Sequence, residues 1–357
     1  MFNKQQAWIK SGLADSIFIL SPPFLALVVV MLFPAEFKNS DIMPFQYWVI
    51  LILMIDVAHV YSTLYRTYFN PDEFSKRHPL FIAIPFLCYG AGVVLYFIGG
   101  LVFWRALAYL AVYHFVRQQY GFMRIYSRKE KSNKIYSFID AAAVYIATIY
   151  PLLYWHLAGQ HKNFNWFVDG DFLLFKSTNL LFAGKLLYIL IIAVYLLKEL
   201  FVIYKTKQFN VPKNLIIAGT FLSWYVGIIY FNGDMAFTTL NVISHGIPYM
   251  ALIWLFEHKK YKGKINTGTS LMRFTFSKYA GVILFVGFLI FFAYTEEGLW
   301  DVLVWKEHPQ FFKPFSVLPA ITENVILALT VPLLALPQST HYVLDGFIWR
   351  IKKDVAI

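Results

Sequence analysis

A single cysteine, Cys88, occurs in the sequence. One thiol excludes an intrachain disulfide and any CxxC redox or metal motif. Charge is scarce as well: charged residues make up 14% of the chain, against about 25% in a soluble domain. No polar stretch is long enough to build a separate soluble core. A Walker phosphate loop, a GxSxG elbow and an HExxH pair are all missing, so ATP-driven transport, serine hydrolysis and zincin proteolysis have no support. The HxxxH and HxxHH clusters used by membrane desaturases and alkane hydroxylases are missing too. There is no internal repeat and no low-complexity segment. The first apolar run lacks the small-residue cleavage site of a secretory signal.

What the chain has in quantity is apolar sequence, 59% of its 357 residues. Apolar runs of about 20 residues recur, the length that crosses a bilayer core of about 30 Å. Isolated spans must satisfy their backbone internally, which requires helices. The expectation is an all-α, polytopic membrane helix bundle forming one transmembrane domain over residues 1–357. Ten spans are read at Leu13–Phe33, Phe45–Tyr65, Pro79–Gly99, Phe103–Met123, Tyr136–Trp155, Leu181–Tyr204, Leu215–Phe231, Ala236–Phe256, Tyr279–Tyr294 and Asn324–Asp345. Pro22-Pro23 should kink the first or delay its start. The longest outer loops then fall at 156–180 and 295–320. The second, with Glu296-Glu297 and the run from Leu299 to Trp305, reads as an amphipathic loop at the headgroups or a re-entrant lid.

The cations orient this arrangement. With the amino terminus inside, all but seven of the 31 lysines and arginines fall on the inner side. The exceptions are Lys38, Arg105, Lys162, Lys176, Lys185, Lys306 and Lys313. Such asymmetry follows the positive-inside rule and places both termini in the cytoplasm. It also accounts for the net charge of +11 without nucleic acid, as orientation plus attraction to anionic lipid.

Of nine histidines, His78, His156, His161, His258 and His308 lie near span ends or in loops and read as interfacial. The other four, His59, His114, His245 and His341, each lie inside an even-numbered span. Those spans run parallel to one another, from outside to inside. Each histidine precedes its cytoplasmic charge cluster by about 7 to 14 residues, roughly 10–20 Å of helix rise. The four therefore share a depth in the inner half of the membrane. Each also has polar company at helical spacing: Asp56 before His59, Gln118 after His114, Asn241 and Ser244 before His245, and Gln338 and Asp345 around His341. A lone intramembrane histidine is ordinarily a satisfied hydrogen-bonding residue. Four at one depth point instead to a shared metal site. Asp56 and Asp345 would orient the imidazoles or join them as ligands. Imidazole with carboxylate suits iron, zinc, copper or manganese. Arg117, three residues after His114, is expected to balance charge by pairing with Asp56 or Asp345, or to hold an anionic head group. For Arg66, Arg117 and Arg124, on or just below the same spans, snorkelling to the interface is one alternative. Tyr61, Tyr65, Tyr113, Tyr120 and Tyr342 are expected to line a cavity or to sit at the interface.

On His59, His114, His245 and His341 and the span architecture, without a continuous motif, the chain resembles bacterial membrane-embedded histidine–iron oxygenases of the carotene-cleaving type. The resemblance implies separate intramembrane histidines holding one iron. The function expected is oxygen-dependent modification of a lipophilic substrate that enters from the bilayer, in an inner (cytoplasmic) membrane. Membrane lipid is the surrounding partner. Arg117, Asp345 and Asp56 would assist, with Gln118, Asn241 and Gln338 supporting the ligands. The rivals are a metal-free acyltransferase using His245 and Asn241, and a transporter or haem-bearing electron carrier.

Overall fold

The computed structural model describes residues 6–39, 43–130, 133–159, 166–262 and 269–349. Among these residues every regular element is helical. Each apolar run read from the sequence corresponds to a helix: α1 (Gly12–Leu20, then Pro22–Leu32), α2 (Phe45–Arg66), α3 (Pro71–Ile98), α4 (Gly100–Ser127), α5 (Lys134–Leu157), α6 (Thr178–Thr206), α7 (Val211–Trp224 continuing through Tyr225–Tyr230), α8 (Asp234–Tyr261), α9 (Gly281–Trp305) and α10 (Asn324–Leu334, then Leu336–Ile348). Six of these, α2, α3, α5, α6, α8 and α9, are each long and apolar enough to cross a membrane. The count is eight if the bent pairs α1 and α10 are single spans. Among the described residues the candidate spans thus number six to eight, the pattern of a multi-pass membrane protein. Helix α4 is not among them, because Arg105, His114, Arg117, Gln118, Gln119 and Arg124 interrupt its apolar sequence. Helix α7 is not among them either, and carries Lys213, Asn214, Thr220 and Ser223.

The bends have local causes. Helix α1 turns by 47° at Ser21, where Pro22 and Pro23 can donate no backbone hydrogen bond. Helix α10 turns by 41° around Ala335, between Pro332 and Pro337. In α2 the stretch Val49–Val57 is wound as a π-helix, and Thr63–Arg66 tightens into a 3₁₀ turn. Both changes of winding flank His59 and re-aim the side chains on either side of it.

The described residues fall into two compact units. One comprises the described residues before Pro44 and those in Val112–Pro248, the other those in Pro44–Ala111 and from Tyr249 to Trp349. Helices α4 and α8 contribute residues to both, the divisions falling at Ala111–Val112 and Pro248–Tyr249.

In the first unit, α5 packs along α6 and α7. Where the three meet, a network of buried charge replaces apolar contact. Lys198 donates to Asp140 and Glu199, while Lys213 reaches Glu199 Oε1 at 2.8 Å and Glu130 Oε1 at 2.9 Å. Asn214 donates to the second Glu199 oxygen at 2.8 Å and accepts from the Tyr195 hydroxyl at 2.6 Å. Charges removed from water are tolerated only when paired and hydrogen-bonded like this. Close helix contact also needs small residues. A Cβ on Gly227 of α7 would stand 2.9 Å from the Phe237 Cα of α8. The outer face of α6 stays exposed, with Phe182, Leu190, Leu197 and Leu200 pointing away from the protein, as a lipid-facing helix requires.

In the second unit, α10 packs on α3, and α9 packs on α2. Phe81 and Ile84 of α3 form a core with Leu344 and Ile348 of α10. Helix α9 continues to Trp305, about three turns past the span read from the sequence. Glu296, Glu297 and the Leu299–Trp305 run are therefore helical rather than part of an outer loop or lid. Glu296 is tolerated there because Tyr61 of α2 donates to its Oε2 at 2.5 Å and Gln338 of α10 donates to its Oε1.

Candidate metal centre

In the first unit, His114 of α4 and His245 of α8 face each other, with ring centroids 4.9 Å apart and planes nearly perpendicular. The Phe115 ring stacks on His245 at 3.8 Å. Pro248 explains why α4 grips α8 here. A helical proline lacks the N–H that would bond the carbonyl four residues earlier, and that carbonyl belongs to Ser244. Gln119 supplies the missing donor, its Nε2 lying 3.3 Å from Ser244 O. Gln118 grips the next carbonyl, donating to His245 O at 2.9 Å. Thr220 of α7 in turn donates to Gln119 Oε1 at 3.3 Å.

In the second unit, the rings of His59 and His341 stand 5.0 Å apart, again nearly perpendicular. Tyr249 meets both edge-on, at 6.0 Å and 5.2 Å. Thr63 Oγ1 lies 2.7 Å from His341 Nδ1 and 3.1 Å from the Tyr249 hydroxyl. Asp56 Oδ1 is 3.8 Å from His59 Nδ1. Tyr249 belongs to α8, one turn after His245.

The four imidazoles form one group. Each offers one ring nitrogen, and these nitrogens all lie within 4.8 Å of one another. All four residues are buried, none more than 2% exposed. Nitrogen ligands at about 2.0–2.1 Å from one ion stand up to about 4 Å apart, so the cluster is close to the spacing that a single ion imposes. Four buried histidines gathered in this way could hold a metal ion.

The supporting residues read from the sequence have the following partners. Gln118 holds the His245 backbone rather than an imidazole. Asn241 Nδ2 donates to Phe237 O, one turn back on its own helix. Gln338 bonds Glu296. Asp345, 8% exposed, makes a hydrogen bond with the Tyr249 hydroxyl. Arg117 donates to the Tyr145 hydroxyl at 2.7 Å, and its guanidinium sits over the Tyr120 ring.

Several readings of single residues change. Arg66 does not snorkel but is buried, with Nη1 2.6 Å from Glu257 Oε1. His258 is buried, its Nδ1–H donating to Phe276 O at 2.7 Å and its ring stacked on Trp254. His78 contacts Ser75 O, His156 contacts Leu152 O, and His308 packs on Phe45 and Trp48. His161 lies outside the described residues. Tyr65 is fully buried among Phe69, Phe276 and Phe285, whereas Tyr113 is 57% exposed.

Thr63, Tyr249, Gln119 and Glu296 were not singled out as part of the site from sequence. The first two follow His59 and His245 by four residues, the same spacing that marks Gln118 after His114. Their signal was present but weak, since neither a threonine nor a tyrosine is unusual in a membrane helix. No protein-family model matches the chain, and no curated protein or solved structure does so either.

Proposed function

We propose that this protein is a metal-dependent membrane oxygenase, with iron held by His59, His114, His245 and His341, acting on a lipophilic substrate drawn from the bilayer. The observation that carries this reading is the gathering of four buried ring nitrogens within 4.8 Å. Iron held by these four imidazoles would supply dioxygen activation.

The remaining work belongs to the chain. Helices α2, α4, α8 and α10 bring the imidazoles together and exclude water, which suits reactive oxygen chemistry. Asp56 offsets cationic charge beside His59 at 3.8 Å. Arg117, set among Tyr120 and Tyr145, anchors a substrate with an anionic head group. A substrate reaching such a site without a soluble domain is apolar, of the isoprenoid, carotenoid or acyl-chain class. The location proposed is the inner membrane, with α4 and α7 completing ten spans and both termini in the cytoplasm, in keeping with the cation asymmetry.

Elemental analysis of purified protein tests the site. Wild type should carry about one iron per chain after anaerobic reconstitution with iron(II). H59A, H114A, H245A and H341A should each lose it, while H78A and H308A keep it. Lipid extracts of expressing cells should differ between wild type and the four variants. Full metal retention with unchanged lipid chemistry in all four would overturn the reading.

A further inference from the structure

We infer that Thr63 and Tyr249 form a one-way hydrogen-bond relay that ties His341 to Asp345, fixing the imidazole so that its Nε2 is the metal ligand. The inference rests on the metal-site reading above and assigns positioning roles to two residues with no histidine or carboxylate chemistry of their own.

The geometry sets the relay. Thr63 Oγ1 lies 2.7 Å from His341 Nδ1 and 3.1 Å from Tyr249 Oη. The Tyr249 hydroxyl also hydrogen-bonds Asp345 and lies 3.5 Å from Trp349 Nε1. Thr63, Tyr249 and His341 are 3%, 1% and 2% exposed, so the relay lies out of bulk water.

The direction follows from the ends. An indole N–H only donates, and a carboxylate only accepts. Trp349 therefore donates to Tyr249 Oη, and the single Tyr249 proton goes to Asp345. Tyr249 has none left for Thr63, so it accepts the Thr63 proton. Thr63 must then accept from His341, which places the ring proton on Nδ1. A neutral imidazole protonated on Nδ1 has its lone pair on Nε2, the form a metal binds. Run the other way, the chain would protonate Nε2 and leave Asp345 without its donor. The arrangement is the familiar carboxylate support of a metal-bound histidine, extended through two hydroxyls because Asp345, four residues after His341 on the same helix, cannot reach Nδ1 directly while Thr63 occupies it.

The test uses the full chain in detergent micelles with Zn2+ and Co2+ as probes. Affinity is read by competition with a chromophoric chelator, and ligand geometry by the Co2+ visible spectrum. T63V, which keeps the shape of the side chain and removes the hydroxyl, should bind both metals about 10–100-fold more weakly and alter the Co2+ bands. T63S should recover wild-type affinity and spectrum. Y249F should weaken binding as well, and T63V/Y249F should be no weaker than T63V, since both act through one relay. Circular dichroism and gel filtration confirm that each variant is folded. Wild-type protein that binds neither metal overturns the site and the relay together. Wild-type binding with T63V unchanged, T63S as weak as T63V, or additive losses in the double variant overturns the relay alone.

Discussion

Gln118 donates to the backbone carbonyl of His245 at 2.9 Å, so a side chain on one helix fixes the main chain of a candidate ligand on another. The helix α8 near this carbonyl is weakened by Pro248, and Gln119 occupies the adjacent Ser244 carbonyl. Q118L should leave a buried carbonyl with one partner fewer, at a cost of about 1–3 kcal/mol. Thermal unfolding in micelles should show the loss, and iron stoichiometry should fall with it. A variant as stable and as well loaded as wild type would remove Gln118 from the support of the site.

The charge network of α5, α6 and α7 makes a separate prediction. K213M leaves Glu199 and Asp140 with one cation, Lys198, between them. Removing one partner of a buried ion pair costs about 3–5 kcal/mol. Denaturation in mixed micelles should report a loss of this size, whereas the folded fraction should still bind metal. An exposed cation such as Lys205 offers the control: K205M should change stability by no more than about 0.5 kcal/mol.

Gly227 of α7 lies close against the backbone of α8. The Cβ of G227A would meet the Phe237 backbone at 2.9 Å, an atom that cannot rotate away. Overpacking of this kind costs about 1–3 kcal/mol. Gly287 of α9, with open space where its Cβ would stand, should accept alanine without loss. Equal stability of the two alanine variants would contradict the helix contact described.

Topology is checked by reporter fusions. Fusions after Lys134, Lys207 and Lys278 should report cytoplasm, and those after Lys176 and Lys306 the opposite side, as the cation asymmetry requires. An external signal at Lys134 would place α4 and α5 the other way round and break the shared depth of His114 with the other three histidines.

The sequence by itself determined the helical class, the membrane environment and the identity of the four histidines. Apolar runs of spanning length permit little but helices in lipid, and an ionisable group inside such a run stands out against its neighbours. Helical spacing also placed Asp56 and Asp345 near their histidines. What tertiary structure decided is which atoms those companions touch. Gln118 has two equally available outlets from its helix, an imidazole or a carbonyl. The carbonyls that α4 grips lie where Pro248 breaks the backbone bonding of α8, a fact about packing between two helices. Glu296 read as loop because two adjacent acids end an apolar run. It is held within α9 by Tyr61 and Gln338, residues 235 and 42 positions away. Hydropathy averages over neighbours in the chain and carries no information about such distant partners. The same limit hid Thr63: its hydroxyl gains meaning only when His341, 278 positions later, is folded against it.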